Sequence, residues 1–212
     1  DSIDKNKIHV VGNYDLNFFN MDIQIFNSHD FKLSSNKILY IDSDCVERTF
    51  YKNLDSYLNY IRNINNILIR SGFQLLIKFH PNSLSKGLDR QLEKFNITAV
   101  KKEKFIPTIK KAKYVISEPS SLSAVVCLTG ITILTPMLKA FNPKRYGLII
   151  DKYPNRLNFN SYEDLENILK NNIHKYNKLE IDSWIEEYAG PLPPRDFPKR
   201  VFNVIDKVLN SK

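Results

Sequence analysis

Three short polar clusters stand out by residue type and spacing. The first is Lys78-Phe79-His80-Pro81, a histidine directly behind an apolar run. An imidazole at a strand end can donate to a phosphate or sugar oxygen near neutral pH, or pack locally and satisfy itself. The second is Ser117-Glu118-Pro119-Ser120-Ser121, between the apolar run Tyr114 to Ile116 and an apolar helix-like stretch. Ser120 or Ser121 at a helix start can cap it, or can present hydroxyl and N–H donors to an anion. Glu118 could receive ribose hydroxyls or sit exposed. The third is Asp42-Ser43-Asp44, behind the run from Lys37 to Ile41.

Those clusters need elements to hold them, and the apolar pattern supplies candidates. Short continuous runs at Lys7 to Val11, Lys37 to Ile41, Phe73 to Phe79, Ile97 to Val100, Tyr114 to Ile116, Ile131 to Leu134 and Leu148 to Ile150 read as buried strands. Between them, Leu54, Tyr57, Leu58, Ile61, Ile64 and Leu68 recur at helical spacing up to Gly72. A brief helix is expected near Pro107 to Lys111, and an apolar one from Leu122 to Gly130. Ser161 with Asp164 three residues later is a capping-box variant, ahead of Leu165, Ile168 and Leu169. A last amphipathic helix is expected from Arg195, with Val201, Phe202, Ile205, Val208 and Leu209 on one side. Strands alternating with helices predict an α/β class, a doubly wound Rossmann-like parallel sheet. In such sheets ligands bind beyond the carboxyl ends of the strands. All three polar clusters sit at those ends. Donors gathered there would meet the charge that grows on a departing phosphate when a glycosidic bond breaks.

Composition narrows the alternatives. The 212 residues, 42% hydrophobic, suffice for one buried domain, and 1–35 reads as a linker or crossing segment before a domain at 36–212. The formal charge is +8, from 31 Lys+Arg against 23 Asp+Glu. The basic residues are scattered and lack aromatic interleaving, so a nucleic-acid partner is not expected. Cys45 and Cys127 do not make a disulfide framework, and a cytoplasmic location is expected. No apolar run reaches membrane-spanning length, and contact with a membrane face would be peripheral. No Gly-rich dinucleotide or P-loop motif, no Ser nucleophile elbow and no Cys/His metal spacing occurs, so neither metal nor other cofactor is expected. His9, His29 and His174 read as structural or surface residues, and Trp184 as core.

The order strand, helix, Lys-x-His-Pro, strand, helix, strand, Ser-Ser resembles the C-terminal, donor-binding domain of GT-B fold bacterial glycosyltransferases. It is most similar to the sialyltransferases and Kdo transferases that use CMP-sugars. Val11-Gly12-Asn13 with Asp15 is similar to the segment entering the second domain in capsule-type transferases. The resemblance implies one GT-B half-domain, a nucleotide-sugar donor and a polysaccharide or glycolipid acceptor. It places His80 on the donor phosphate or carboxylate as the catalytic-site histidine, with Lys78 and Pro81 beside it. Ser120 and Ser121 would hold the phosphate, with Ser117 also in the donor site, and Glu118 or Glu103 would hold the ribose. Asp42, Ser43 and Asp44 would line the cleft. It further implies a catalytic base from an N-terminal domain that this sequence does not show. CDP-glycerol phosphotransferases have a similar layout and are the enzymatic alternative. A non-catalytic carbohydrate-binding domain of the same fold is the other.

Overall fold

The computed structural model describes residues 9, 35–44, 51–101, 104–118, 120–138, 148–174, 177–191 and 196–210. The strand expected at Lys7 to Val11 and Glu103, Cys45 and His29 fall outside them.

Six strands form one parallel sheet: β1 (Lys37–Ile41), β2 (Gln74–Lys78), β3 (Thr98–Ala99), β4 (Tyr114–Ser117), β5 (Ile133–Pro136) and β6 (Arg156–Phe159). Their spatial order is β3-β2-β1-β4-β5-β6. The chain winds outward from β1 through β2 to β3, then returns to the other side of β1 with β4. That reversal is a topological switch point between β1 and β4.

The period-2 geometry of a strand explains why these runs are apolar throughout. Ile38 and Tyr40 of β1 point to one face, with Leu75, Ile77, Tyr114, Ile116 and Leu134. Leu39 and Ile41 point to the other, with Val115 and Ile133. Both faces are covered, so no position on the central strands can be polar without a partner. On the first face pack α1 (Leu54–Arg70) and α7 (Tyr162–Lys170). On the second pack α4 (Phe105–Ile109), α5 (Leu122–Cys127) and α8 (Lys178–Trp184), the last continuing as a π-helical turn over Ile185–Ala189. The fold is the doubly wound, Rossmann-like α/β class expected from the alternation.

Local chemistry sets the helix ends. Asn53 caps α1 by accepting from the Ser56 N–H at 2.9 Å. Gly72 closes the turn after α1 at φ +81°, a left-handed conformation that costs glycine little. Ser161 accepts from the Asp164 N–H at 3.0 Å. The Asp164 carboxylate reaches back to the N–H of Asn160, one residue before the cap, at 2.9 Å.

One strand assignment is corrected. Leu148 to Ile150, expected as the sixth strand, opens the short helix α6 (Leu148–Asp151). The edge strand is Arg156–Phe159, whose buried residues are Leu157 and Phe159. A three-residue apolar run has no period to distinguish strand from helix, whereas the alternation at 156–159 does. Two short helices were not foreseen, α2 (Pro81–Ser85) and α3 (Leu88–Glu93). The final helix, α9 (Phe197–Leu209), forms as expected, but none of its residues is buried, and Phe202 and Leu209 are each 64% exposed.

His174 stacks on the ring of Tyr114 at 4.6 Å, with its Nε2 3.1 Å from the tyrosine hydroxyl. Burial first, and the nearby Lys113 charge second, hold its pKa below the ordinary histidine range. A depressed pKa means the unfolded chain binds the proton more readily. Stability from this residue is therefore complete above the unfolded value of about 6.5 and falls as pH drops through the folded value. Replacing His174 by Phe should keep the stack and reduce the loss of denaturation midpoint below pH 6.5, which chemical melts at stepped pH would read. A variant with the parent's full acid sensitivity would show that other groups carry it.

Candidate functional site

Three strand ends converge at the switch point. Ile41 pairs with Lys78 on one side and with Ser117 on the other. The ladder runs one step further: the Asp42 N–H donates to Lys78 O at 3.1 Å, and the Glu118 N–H to Ile41 O at 3.2 Å. Neighbouring strands lie about 4.8 Å apart, so the ends of β2 and β4 are separated by roughly 10 Å with β1 between them. The sheet thus brings the three polar clusters of the sequence to one edge.

The His80 side chain is a third exposed. Its backbone is extended (φ −66°, ψ 146°), as the following proline favours. Pro81 does not merely stop β2. It is the first residue of α2, a position where its missing N–H costs nothing. His80 is that helix's cap: its Nδ1 accepts from the Asn82 N–H at 3.3 Å, and its carbonyl from the Leu84 N–H at 3.1 Å. An Nδ1 that accepts a backbone proton leaves the imidazole proton on Nε2. The ring is thereby set with a donor at Nε2. Its backbone N–H donates to Asp42 Oδ2 at 3.0 Å, and Asp44 Oδ2 lies 4.0 Å from Nδ1.

The carboxylates at this edge face inward. Asp42 is 2%, Asp44 5% and Glu118 0% exposed. Glu118 Oε2 accepts from the Ser43 N–H at 2.7 Å and the Ser43 hydroxyl at 3.0 Å. Its Oε1 accepts from the Tyr40 hydroxyl and lies 3.0 Å from the Tyr57 hydroxyl, whose single proton it shares with Asp42. Asp42 Oδ1 accepts from Tyr57 and from the Asp44 N–H, each at 2.9 Å. Asp44 sits at φ +59°, which aspartate tolerates, and receives Asn82 Nδ2 at 2.9 Å with Lys86 Nζ at 3.7 Å. Buried polar groups are costly unless hydrogen-bonded, and each of these carboxylates has partners.

Glu118 is buried, with its carboxylate held by Ser43 of the segment after β1. Asp42 and Ser43 are buried at the same sheet edge. Ser117 is buried, donates to Glu118 O at 2.9 Å and bonds to the Ser123 hydroxyl, closing the turn after β4. Lys78 Nζ donates to Phe79 O at 3.0 Å. Ser120 accepts the Leu122 N–H on its hydroxyl at 3.3 Å and the Ser123 N–H on its carbonyl at 3.0 Å. Two amides at the start of α5 are thus satisfied by Ser120, which takes the capping role, while Ser121 has an exposed side chain. Tyr40, Tyr57 and Asn82 were not singled out as site residues. The two tyrosines read as core from their spacing, and only the hydroxyl positions reveal their second task.

Among the described residues no group of three or more His, Cys, Asp or Glu side chains is placed to hold a metal ion. Among them, too, no helix is long and apolar enough to cross a membrane. Cys127 is fully buried in the second core, and burial pushes its thiol pKa well up.

No known family's sequence profile matches the chain, and no curated protein matches it by sequence. Solved structures do match in shape. UDP-GlcNAc 2-epimerase from Methanocaldococcus jannaschii, solved with UDP-GlcNAc and UDP, aligns over 97% of this chain and 56% of its own, at 15% identity and a TM-score of 0.55. The wall teichoic acid polymerase TagF aligns over 98% of this chain and 54% of its own, at 14% identity and a TM-score of 0.54. A TagF variant soaked with CDPG aligns over 98% and 53%, at 14% identity and 0.54. The chain spans little more than half the length of these neighbours. Sheet order and shape together define a Rossmann-like half-domain of GT-B type.

Proposed function

We propose that this domain binds the nucleotide part of an activated sugar or polyol, as the donor half of a glycosyl- or glycerophosphate-transferring enzyme. The observation that carries the reading is the placement of His80. Its Nε2 is set as a donor at the end of β2, beside the switch point where doubly wound sheets take their ligands. Ser121, exposed before α5, supplies a hydroxyl from the β4 side of the same edge. Donors fixed in place before the ligand arrives favour the growing charge of a leaving phosphate over its ground state.

Cytidine diphosphate is the preferred donor nucleotide. The resemblance in the Lys-x-His-Pro and Ser-Ser segments points to cytidine donors, and TagF, a structural neighbour, was solved with CDPG. The CMP-sugar reading, with sialic acid or Kdo, rests on the sequence resemblance alone. A UDP-GlcNAc 2-epimerase activity is the second reading, favoured by the likeness to the Methanocaldococcus enzyme. The absence of a Gly-rich loop after Tyr114 to Ile116 weighs against it. Acceptor, catalytic base and any membrane-face location belong to the whole enzyme.

Thermal unfolding with a nucleotide panel tests this. A ligand at a hundred times its dissociation constant stabilises the folded state by about 2.7 kcal/mol. CDP is expected to raise the melting temperature most, UDP and CMP less, and AMP least. A larger shift with UDP than with CDP would favour the epimerase reading. No shift with any of the four would remove the donor-site assignment.

A further inference from the structure

We propose that Tyr57 and Glu118 are positioning residues for His80, acting through Asp42 from two other elements. The Tyr57 hydroxyl lies between Glu118 Oε1, at 3.0 Å, and Asp42 Oδ1, at 2.9 Å. The other Asp42 oxygen receives the backbone N–H of His80 at 3.0 Å. A continuous hydrogen-bonded path thus runs from the end of β4, through helix α1 and the end of β1, to the backbone of His80. Its carboxylates are 0% and 2% exposed.

The path has a geometric consequence. The His80 ring is a donor at Nε2 because Nδ1 faces the Asn82 N–H at 3.3 Å. That contact depends on where the His80 backbone sits, and Asp42 pins its N–H. Asp42 is oriented in turn by Tyr57 and by the Asp44 N–H. Tyr57 is held by its ring, which packs in the first core and meets Tyr51 at 5.4 Å. Glu118 ties the same hydroxyl to β4 and clamps Ser43 by two bonds. A buried network whose members are all satisfied admits few arrangements, which is how it can set a neighbouring group. The Glu118 carboxylate is met by β1 with the segment after it and by α1, so it fixes those two elements against the end of β4.

The inference deepens the donor-site reading and rests on it for its meaning, but its first readout needs no ligand. Tyr57→Phe keeps the ring contacts and removes the shared hydroxyl. In nitrogen NMR of the parent, His80 should show one protonated-type and one acceptor-type ring nitrogen. In Tyr57→Phe the two signals should move toward each other as the tautomers mix. CDP affinity, measured by calorimetry, should fall roughly three- to tenfold. The melting temperature without ligand should fall as well, since two buried carboxylates lose a donor, so the ring-nitrogen signals carry the decision. Should that variant not fold, Glu118→Gln carries the same readouts. Its amide keeps the shape, with oxygen facing the Ser43 N–H and nitrogen facing the hydroxyls. His80 signals and CDP affinity identical to the parent's in a folded variant would overturn the proposal. If the parent itself binds neither CDP nor UDP, the donor-site reading fails, while the ring-nitrogen signals still decide whether Tyr57 positions His80.

Discussion

His80→Ala is expected to weaken CDP binding by roughly ten- to a hundredfold. A hydrogen bond to a charged group is worth about 1.5–3 kcal/mol, and tenfold corresponds to about 1.4 kcal/mol. The alanine variant also loses the side-chain acceptor that caps α2, since Nδ1 takes the Asn82 N–H. Losing a helix cap costs about 1 kcal/mol of stability. His80→Asn separates the two losses. Asparagine is among the best N-caps, so it should restore most of the thermal stability. It is too short to place a donor where the imidazole Nε2 stands, so CDP affinity should stay low. Calorimetric titration and ligand-free melts of both variants give the four numbers needed. Parent-like CDP affinity in His80→Ala would reduce the histidine to a cap and leave the donor-site reading without its main support.

Trp184→Ala carries the largest expected stability effect, a loss of about 3–5 kcal/mol. The indole is 4% exposed in the second core and meets Tyr153 edge-on at 5.1 Å and Tyr188 in a stacked arrangement at 6.0 Å. Tyr153 in turn donates to Ile131 O at 2.8 Å, two residues before β5 begins. The indole therefore joins α8 to the starting end of the sheet, away from the edge that carries His80. Total stabilities of such domains are about 5–15 kcal/mol, so the loss is a large share. Denaturant unfolding should show the midpoint falling with little change in slope. CDP affinity of the folded fraction should match the parent's, because the ligand edge is untouched. A midpoint shift of less than about 1 kcal/mol would mean that the surrounding core closes over the space.

How much of this was legible beforehand depended on the kind of signal. The strands at Lys37–Ile41 and Tyr114–Ser117 were readable because both of their faces are buried, which forces an unbroken apolar run. Helix α1 was readable because one-sided burial imposes a 3.6-residue period on Tyr57, Leu58, Ile61, Ile64 and Leu68. The Leu148 segment was misread because three apolar residues carry neither period. Helices α2 and α3 were missed because five or six residues are too few to show one.

The sequence by itself determined which residue types stand at the strand ends. Each apolar run had to stop where the strand left the sheet, and His80, Asp42 and Ser120 follow those stops. Which way each side chain turns was decided only by the tertiary structure. Glu118 and Tyr57 are 61 positions apart in sequence and 3.0 Å apart in the folded chain. That contact exists because β4 pairs with β1 while α1 lies across the same face. Burial of a carboxylate is stable only where donors from several elements meet it, and no pattern within one segment can report such a meeting. For the same reason, the proton on the His80 ring was placed by the Asn82 N–H of a helix too short to be read in advance.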